Sequence, residues 1–450
     1  MKKVIKMLIP ALVAIPLLAS CGAKKEQEEP GATVVTMYLR NFEEWSNNYM
    51  NSRVKEFNSN MSDGIQLRVK FFEDEAYTDA YKVAKEQGKA PDIFMCSYGN
   101  IFNDLVETGD AVQLEGLVKQ EYLDDIKDNV KGMMTYRGHL WSYPQLTEPS
   151  TLFYYSKSAL AKANVTVPDD GKLTWDWLYD ACAKVKPTLK RAQYCVGIPI
   201  GSAAGWATYG MQYNLTGGLA ISNDWKECLV KPESGYKDLC EFWQKLYING
   251  YVPQGAVSPK GSYNDIIEAL TMNKLAMTFA GSWSIAEIMH TYPEKASDIG
   301  VAVIPTKSGD TSKVTASNGG WTYAISSQSD TAHREAAARV IEWFFAESAE
   351  RTAGYFEAAY YSKAAATKSV SNYISQHVTP SMKEWVDVID GVASKAIPEA
   401  TYPWSIACAV TNMLETVALN PEAPINNAIN ACYSSIDEII KSPDFPKKPE

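Results

Sequence analysis

The sequence predicts an α/β protein of two domains, on three observations. Segments with strand periodicity alternate with segments of helical periodicity from residue 33 onward, and several strands are apolar without alternation, as strands covered on both faces are. The chain is also too long for one ordinary domain and comfortable for two.

Taken in order, TVVTMYLR (33–40) is β-branched and apolar and predicts a strand. NFEEWSNNYMNSRVKEFNS then sets Met50, Val54 and Phe57 on one helical face, and IQLRVKFF alternates Ile65, Leu67, Val69 and Phe71. This is a βαβ opening. DAYKVAKEQGKAPDIFMCS repeats it with a helix, Gly88 as a stop, Pro91 and a short buried strand, Ile93 to Cys96. Farther on, Thr174 is placed to cap TWDWLYDACAKVKPT, whose inward face is Leu178, Cys182 or Ala181, and Val185. HREAAARVIEWFFAESAERTAGYF reads as the longest clear helix and buries Val340, Ile341, Phe344 and Phe345. NKLAMTFAGSWSIAEIM (273–289) reads as a buried strand that stops at Gly281 and delivers Ser282 and Trp283 onto a new helix. Ligands of α/β proteins gather at such corners, although a tryptophan there can equally cover a helix end as core.

The amino terminus is of another kind. Lys2, Lys3 and Lys6 precede an apolar run from Met7 to Ala19, which is shorter than a membrane span needs. It ends in Leu18-Ala19-Ser20-Cys21, which resembles a bacterial lipobox. That resemblance implies cleavage after residue 20 and lipidation of Cys21, with 21–32 as a flexible tether. The whole chain is 46% hydrophobic and 21% charged, with no second apolar segment long enough to span a bilayer, so the body is expected outside the membrane. A net charge of −10 argues against nucleic acid or an anionic lipid surface as the main partner.

Of eight cysteines, Cys21 is assigned to lipid, and the odd remainder leaves at least one thiol free. Local bridges Cys182 to Cys195 and Cys228 to Cys240 are compatible with the spacing. No C-x-x-C pair occurs, and His139, His290, His333 and His377 are too scattered to suggest a zinc site. No P-loop or G-x-G-x-x-G follows a predicted strand, so no cofactor is expected.

Six segments follow one another in a familiar order: KAPDIFMCSYGN, YRGHLWSYPQLTEPSTLFYYSKSALAKANV, LTWDWLYDACAKV, GSYNDIIEALTMNKLAMTFAGSW, IGVAVIPTKSG and NGGWTYAISSQSDTAHREAAARVIEWFFAE. Together they resemble the bacterial extracellular solute-binding proteins of family 1, the maltose-binding-protein-like sugar receptors of ABC importers. The likeness implies a two-lobed, type II periplasmic-binding-protein-like fold, each lobe a mostly parallel sheet flanked by helices, with ligand held between the lobes. It divides the chain into 33–146 plus 304–353 for the amino-terminal lobe and 147–303 plus 354–450 for the other. Crossings are expected near Leu146 to Pro149, Val301 to Pro305 and Ala353 to Phe356.

The resemblance also suggests a site. It places Trp283 in the cleft, where an indole packs on the C–H face of a sugar while amide and charged groups serve its hydroxyls. Arg40 and Asn41 end the first strand, where similar proteins meet ligand. Ser97 and Asn100 follow the PDIFMC strand, although Asn100 can also cap the next helix. Tyr143 matches a tyrosine that faces ligand in the family, and Glu148 an acidic hinge position. Trp206, Gly320 and Trp321 sit on glycine-flanked loops where backbone can approach ligand. Trp404 matches a further platform, although the apolar helix after it favours a core reading. The implied protein is a monomeric, non-enzymatic receptor for a sugar or small oligosaccharide, lipid-anchored at the cell envelope beside a permease. Receptors for a peptide, polyol or sugar phosphate, and a secreted glycosidase, are the alternatives. Against the last, no acidic pair lies on neighbouring strand ends of a barrel pattern, and GSAAG (201–205) lacks the serine of a nucleophile elbow.

Overall fold

The computed structural model describes residues 31–60, 64–168, 171–199, 204–253, 263–420 and 422–448; the expected signal segment, 1–20, and Cys21 lie outside them. Its strands, in chain order, are β1 (Thr33–Asn41), β2 (Ile65–Glu73), β3 (Ile93–Ser97), β4 (Thr135–Tyr136), β5 (His139–Leu140), β6 (Tyr143–Pro149), β7 (Leu152–Ser156), β8 (Tyr194–Gly197), β9 (Leu275–Ala280), β10 (Ile299–Ala302), β11 (Ser317–Ile325), β12 (Ala364–Ala365) and β13 (Ile397–Pro398). They form a seven-stranded sheet ordered β12-β6-β11-β3-β1-β2, with β13 on β11, a four-stranded sheet ordered β10-β7-β9-β8, and the β4-β5 hairpin.

The βαβ opening forms as its periodicity requires. Helix Glu44–Ser59 buries Met50 and Phe57 and leaves Val54 partly covered, and β1 pairs in parallel with both β2 and β3. Thr174 caps helix Trp175–Val185, its hydroxyl accepting from the Trp177 N–H at 2.9 Å, and Leu178, Ala181, Cys182 and Val185 face inward. Each sheet has its own main core. Val35, Met37, Ile93, Val340 and Ile341 meet under the larger one, and Phe153, Cys182, Trp243, Phe279 and Met413 under the smaller.

Four expectations need correction. The sheets are mixed rather than mostly parallel: β11 runs antiparallel to β3 and β6, and β7 runs antiparallel to β9 and β10. Strands that return from the other sheet are free of the right-handed crossover that makes neighbours parallel. The expected long helix is two, Thr331–Phe345 and Ala349–Ala358, because Ser348 accepts from the Arg351 N–H and starts a new helix. Every described cysteine is free, so neither local bridge is formed. The residues Ala353 to Phe356, where a crossing was expected, lie within helix Ala349–Ala358. The chain beyond them twice rejoins the larger sheet, as β12 and β13, before helices Trp404–Leu419 and Ile425–Lys441 pack on the core of the smaller one.

The chain passes from β6 to β7 through Ser150 and Thr151 and comes back between β10 and β11. These two passages lie side by side. The Ser150 N–H donates to the Ser317 carbonyl at 2.9 Å, and the Ser317 hydroxyl donates to the Ser150 hydroxyl at 2.8 Å.

Candidate functional site

Beside those passages lies a cleft of about 450 Å³, within the usual range of small-ligand sites. One wall comes from strand ends of the larger sheet: Asn41 to Glu43 after β1, Ser97 on β3, Leu146 and Glu148 on β6, and Gly319 to Trp321 on β11. The other brings Trp206 and Trp283, while Tyr355, Lys363 and Glu399 come from the late part of the chain on the side of the larger sheet.

The Gly281-Ser282-Trp283 corner explains itself sterically. A β-carbon at Gly281 would fall 2.1 Å from the Trp283 ring, so the indole folds back over a position that only glycine can occupy. Tyr154 donates to the Gly281 carbonyl at 2.7 Å, and the Ser282 N–H donates to the Pro149 carbonyl at 3.1 Å, tying the corner to the end of β6. Trp206 stacks beside Trp283, ring centres 6.0 Å apart and planes 27° from parallel. On the opposite wall Trp321 packs on Phe42 at 4.7 Å. The cleft therefore offers indole faces from both walls.

Charge is concentrated among these rings. Lys363 and Glu148 pair at 2.5 Å with side chains only 8% and 12% exposed, and the ammonium lies 5.9 Å from the Trp283 ring centre. The Trp206 indole N–H donates to Glu399 Oε1 at 2.6 Å. The Glu399 carboxyl fits between Gly99 and Gly319, at either of which a β-carbon would come within 3.2 Å of it. Burial pushes the Glu399 pKa up, against the Trp206 indole and the Gly99 N–H, and the Glu148 charge adds to the rise. Burial likewise raises Glu43, which Lys363 opposes and Glu148 reinforces. Among the described residues no group of three or more His, Cys, Asp or Glu side chains could hold a metal ion.

The raised Glu399 value has a consequence for stability. Its folded pKa exceeds that of the unfolded chain, so the folded state holds the proton more tightly, and stability should fall as pH rises above about 4.5 toward neutrality. Glu399→Gln keeps the acceptor for Trp206 and removes the titration. The ligand-free variant should therefore gain stability relative to the parent as pH rises, read from urea midpoints at each pH. A constant difference across the range would show that Glu399 titrates normally.

The chain matches the model of the bacterial extracellular solute-binding proteins over residues 45–351. It belongs to that family.

As a solute-binding protein it has structural counterparts across bacteria. Its fold is similar to an ABC transporter solute-binding protein from Thermotoga lettingae bound with alpha-D-tagatose, with a TM-score of 0.74 and 22% identity over 91% of this chain and 100% of that one. The GacH receptor of Streptomyces glaucescens, solved unliganded and with acarbose, gives 0.73 and 18% over 92% and 100%. Maltose-bound MalE3 of T. maritima gives 0.72 and 16% over 90% and 99%. No curated protein matches the chain. These likenesses show the two-lobed type II fold, and the family is one of extracytoplasmic binding proteins.

The solute-binding protein gathers Asn41, Ser97, Trp206, Trp283, Gly320 and Trp321 around the cleft. Four other residues named from the sequence do not line it. Tyr143 is fully buried in the core of the larger sheet at the start of β6, its hydroxyl donating to the Tyr122 carbonyl at 3.3 Å, whereas Glu148 lies near the other end of that strand. Arg40 stands behind the cleft, its guanidinium 4.3 Å from the Tyr77 ring centre and 5.2 Å from that of Trp321. Asn100 is the exposed last residue of the otherwise buried turn Tyr98–Asn100 and makes no cap bond with its side chain. Trp404 opens its helix 49% exposed, so neither the platform nor the core reading holds. The residues not foreseen are Phe42, Glu43, Leu146, Gly319, Tyr355, Lys363 and Glu399. Phe42 and Glu43 directly follow Asn41 and could have been found by extending that loop. Lys363 and Glu399 carry no local signal.

Proposed function

We propose that this protein is the lipid-anchored receptor of an ABC importer, which captures a sugar or small oligosaccharide in the cleft and delivers it to a membrane permease. The observation that carries this reading is the pairing of indole faces on both walls, Trp206 and Trp283 against Trp321, with acceptors and donors between them in Glu43, Glu148, Glu399, Lys363 and Asn41. A sugar ring presents a weakly polar C–H face and a rim of hydroxyls, and such a site serves both. In this reading the lobes pivot on the paired passages at Ser150 and Ser317, the receptor works as a monomer, and lipid on Cys21 keeps it near the permease. A ligand touching both walls then favours the closed form by its differential affinity. A sugar phosphate is disfavoured, since Lys363 is the one basic side chain among the described residues of the lining and it already faces Glu148.

The test is a thermal-shift screen of unlipidated protein against mono- and oligosaccharides. Binding to the folded state alone adds about 2.7 kcal/mol at a ligand concentration 100 times Kd, so at least one sugar should raise the melting point. A panel without any shift, or turnover of the sugar that shifts it, would remove this reading.

A further inference from the structure

We infer that the cleft is fitted to a saccharide bearing a basic amine and rejects one bearing a carboxylate, phosphate or sulfate. The inference deepens the sugar-receptor reading and rests on it. Among the described residues four charged side chains line the cleft: Glu43, Glu148, Glu399 and Lys363. Three are acids and one is a base, and the base is committed to Glu148 in a pair that is almost wholly covered.

The acids form one electrostatic unit. Glu148 acts on both Glu43 and Glu399 by like-charge repulsion, so removing its charge would relieve each of them. Glu399 is held by neutral donors, the Trp206 indole and the Gly99 N–H. An anionic ligand entering this field would give up its hydration and meet, among the described lining residues, a single cation that already faces Glu148, the costly case for a buried charge. A protonated amine reverses both effects. It supplies the cation that Glu399 lacks and a second one for Glu43, which otherwise shares Lys363 with Glu148, through charge-assisted hydrogen bonds about twice as strong as neutral ones. The indole faces add to this, since Trp283 already lies within cation–π range of the Lys363 ammonium. A neutral sugar can still donate its hydroxyls to these carboxylates, so the inference concerns preference among sugars of one configuration.

Matched sets decide it. Hexose, hexosamine, N-acetylhexosamine and hexuronate in the gluco, galacto and manno configurations are titrated calorimetrically into the unlipidated protein at pH 7. In at least one configuration the hexosamine should bind about tenfold tighter than both the hexose and the N-acetylhexosamine, with the uronate weakest. The double variant Glu43→Gln/Glu399→Gln, which preserves shape, should bring hexosamine and hexose within about threefold. Its melting curve and far-ultraviolet circular dichroism report whether it folds, and the unsubstituted protein still decides the matter if it does not. Hexose binding as tightly as hexosamine, or tightest binding of a uronate, overturns the charge preference and leaves the sugar receptor standing. If no member of any set binds and the wider saccharide screen is also silent, the sugar reading falls and the charge preference falls with it.

Discussion

Trp283→Ala should weaken sugar binding by roughly 30-fold to several hundred-fold while the protein stays folded. Losing a stacked, desolvated aromatic at a recognition site commonly costs about 2 to 4 kcal/mol. The structure gives the reason to expect the loss in binding rather than in stability. Trp283 is only partly buried, is absent from the apolar core clusters of the described residues, and faces the cleft beside Trp206 and the Lys363 ammonium. The strand before it and the helix after it are anchored independently, by the β9 ladder and by Ile285 and Ile288 in the core. The check is calorimetric titration of the variant with the sugar found by screening, together with its melting temperature. A variant that melts much earlier yet binds normally whenever folded would place Trp283 in the core and take the cleft assignment with it.

Gly320→Ala should destabilise the protein by about 3 kcal/mol or more. Gly320 sits at φ +134, where side chains are rarely tolerated, and a β-carbon there would lie 2.4 Å from the Leu146 carbonyl oxygen and 3.0 Å from the Thr147 Cα. The unfavourable backbone region costs about 1 to 3 kcal/mol, and forcing backbone apart at a paired strand costs a similar amount again. Relief would require β11 to move off β6, and Trp321 would move with it. The neighbouring Gly319→Ala is the internal comparison. There the nearest obstacle is the Glu399 carboxylate at 3.2 Å, a side-chain end that can shift, so its loss should be clearly smaller. Urea midpoints of the two variants measure the difference. Equal midpoints would mean that β6 and β11 do not lie in the described register.

Local pattern was enough for much of this protein. The βαβ opening, the Thr174 cap and the buried strand ending at Gly281 were legible because each depends on residues within one turn or one strand of each other. The cleft tryptophans named from the sequence share that property, each lying within two residues of a glycine, although Trp206 sits in the short helix Ala204–Ala207 and Trp321 within β11 rather than on the expected loops. The helix break at Ser348 was missed because a serine within an otherwise helical pattern reads as tolerable until its hydroxyl is seen capping the next helix.

The composition of the cleft was decided elsewhere. Whether Tyr143 or Glu148 borders the cleft depends on which end of β6 meets it, and that is set only by the pairing of β6 with β11, 170 residues or so downstream, where the register shifts near Trp321. Lys363 and Glu399 are adjacent to the cleft because β12 and β13 return to the larger sheet, a path that no periodicity announces. Trp404 lies at a helix start with an apolar run after it, yet the fold leaves its ring half in solvent. The sequence by itself therefore determined the class of fold, most of the elements and the tryptophans that line the cleft, since these follow from short-range sterics and burial. Tertiary structure alone decided which charges stand among those platforms, because charge placement depends on which distant segments the chain folds back to bring together.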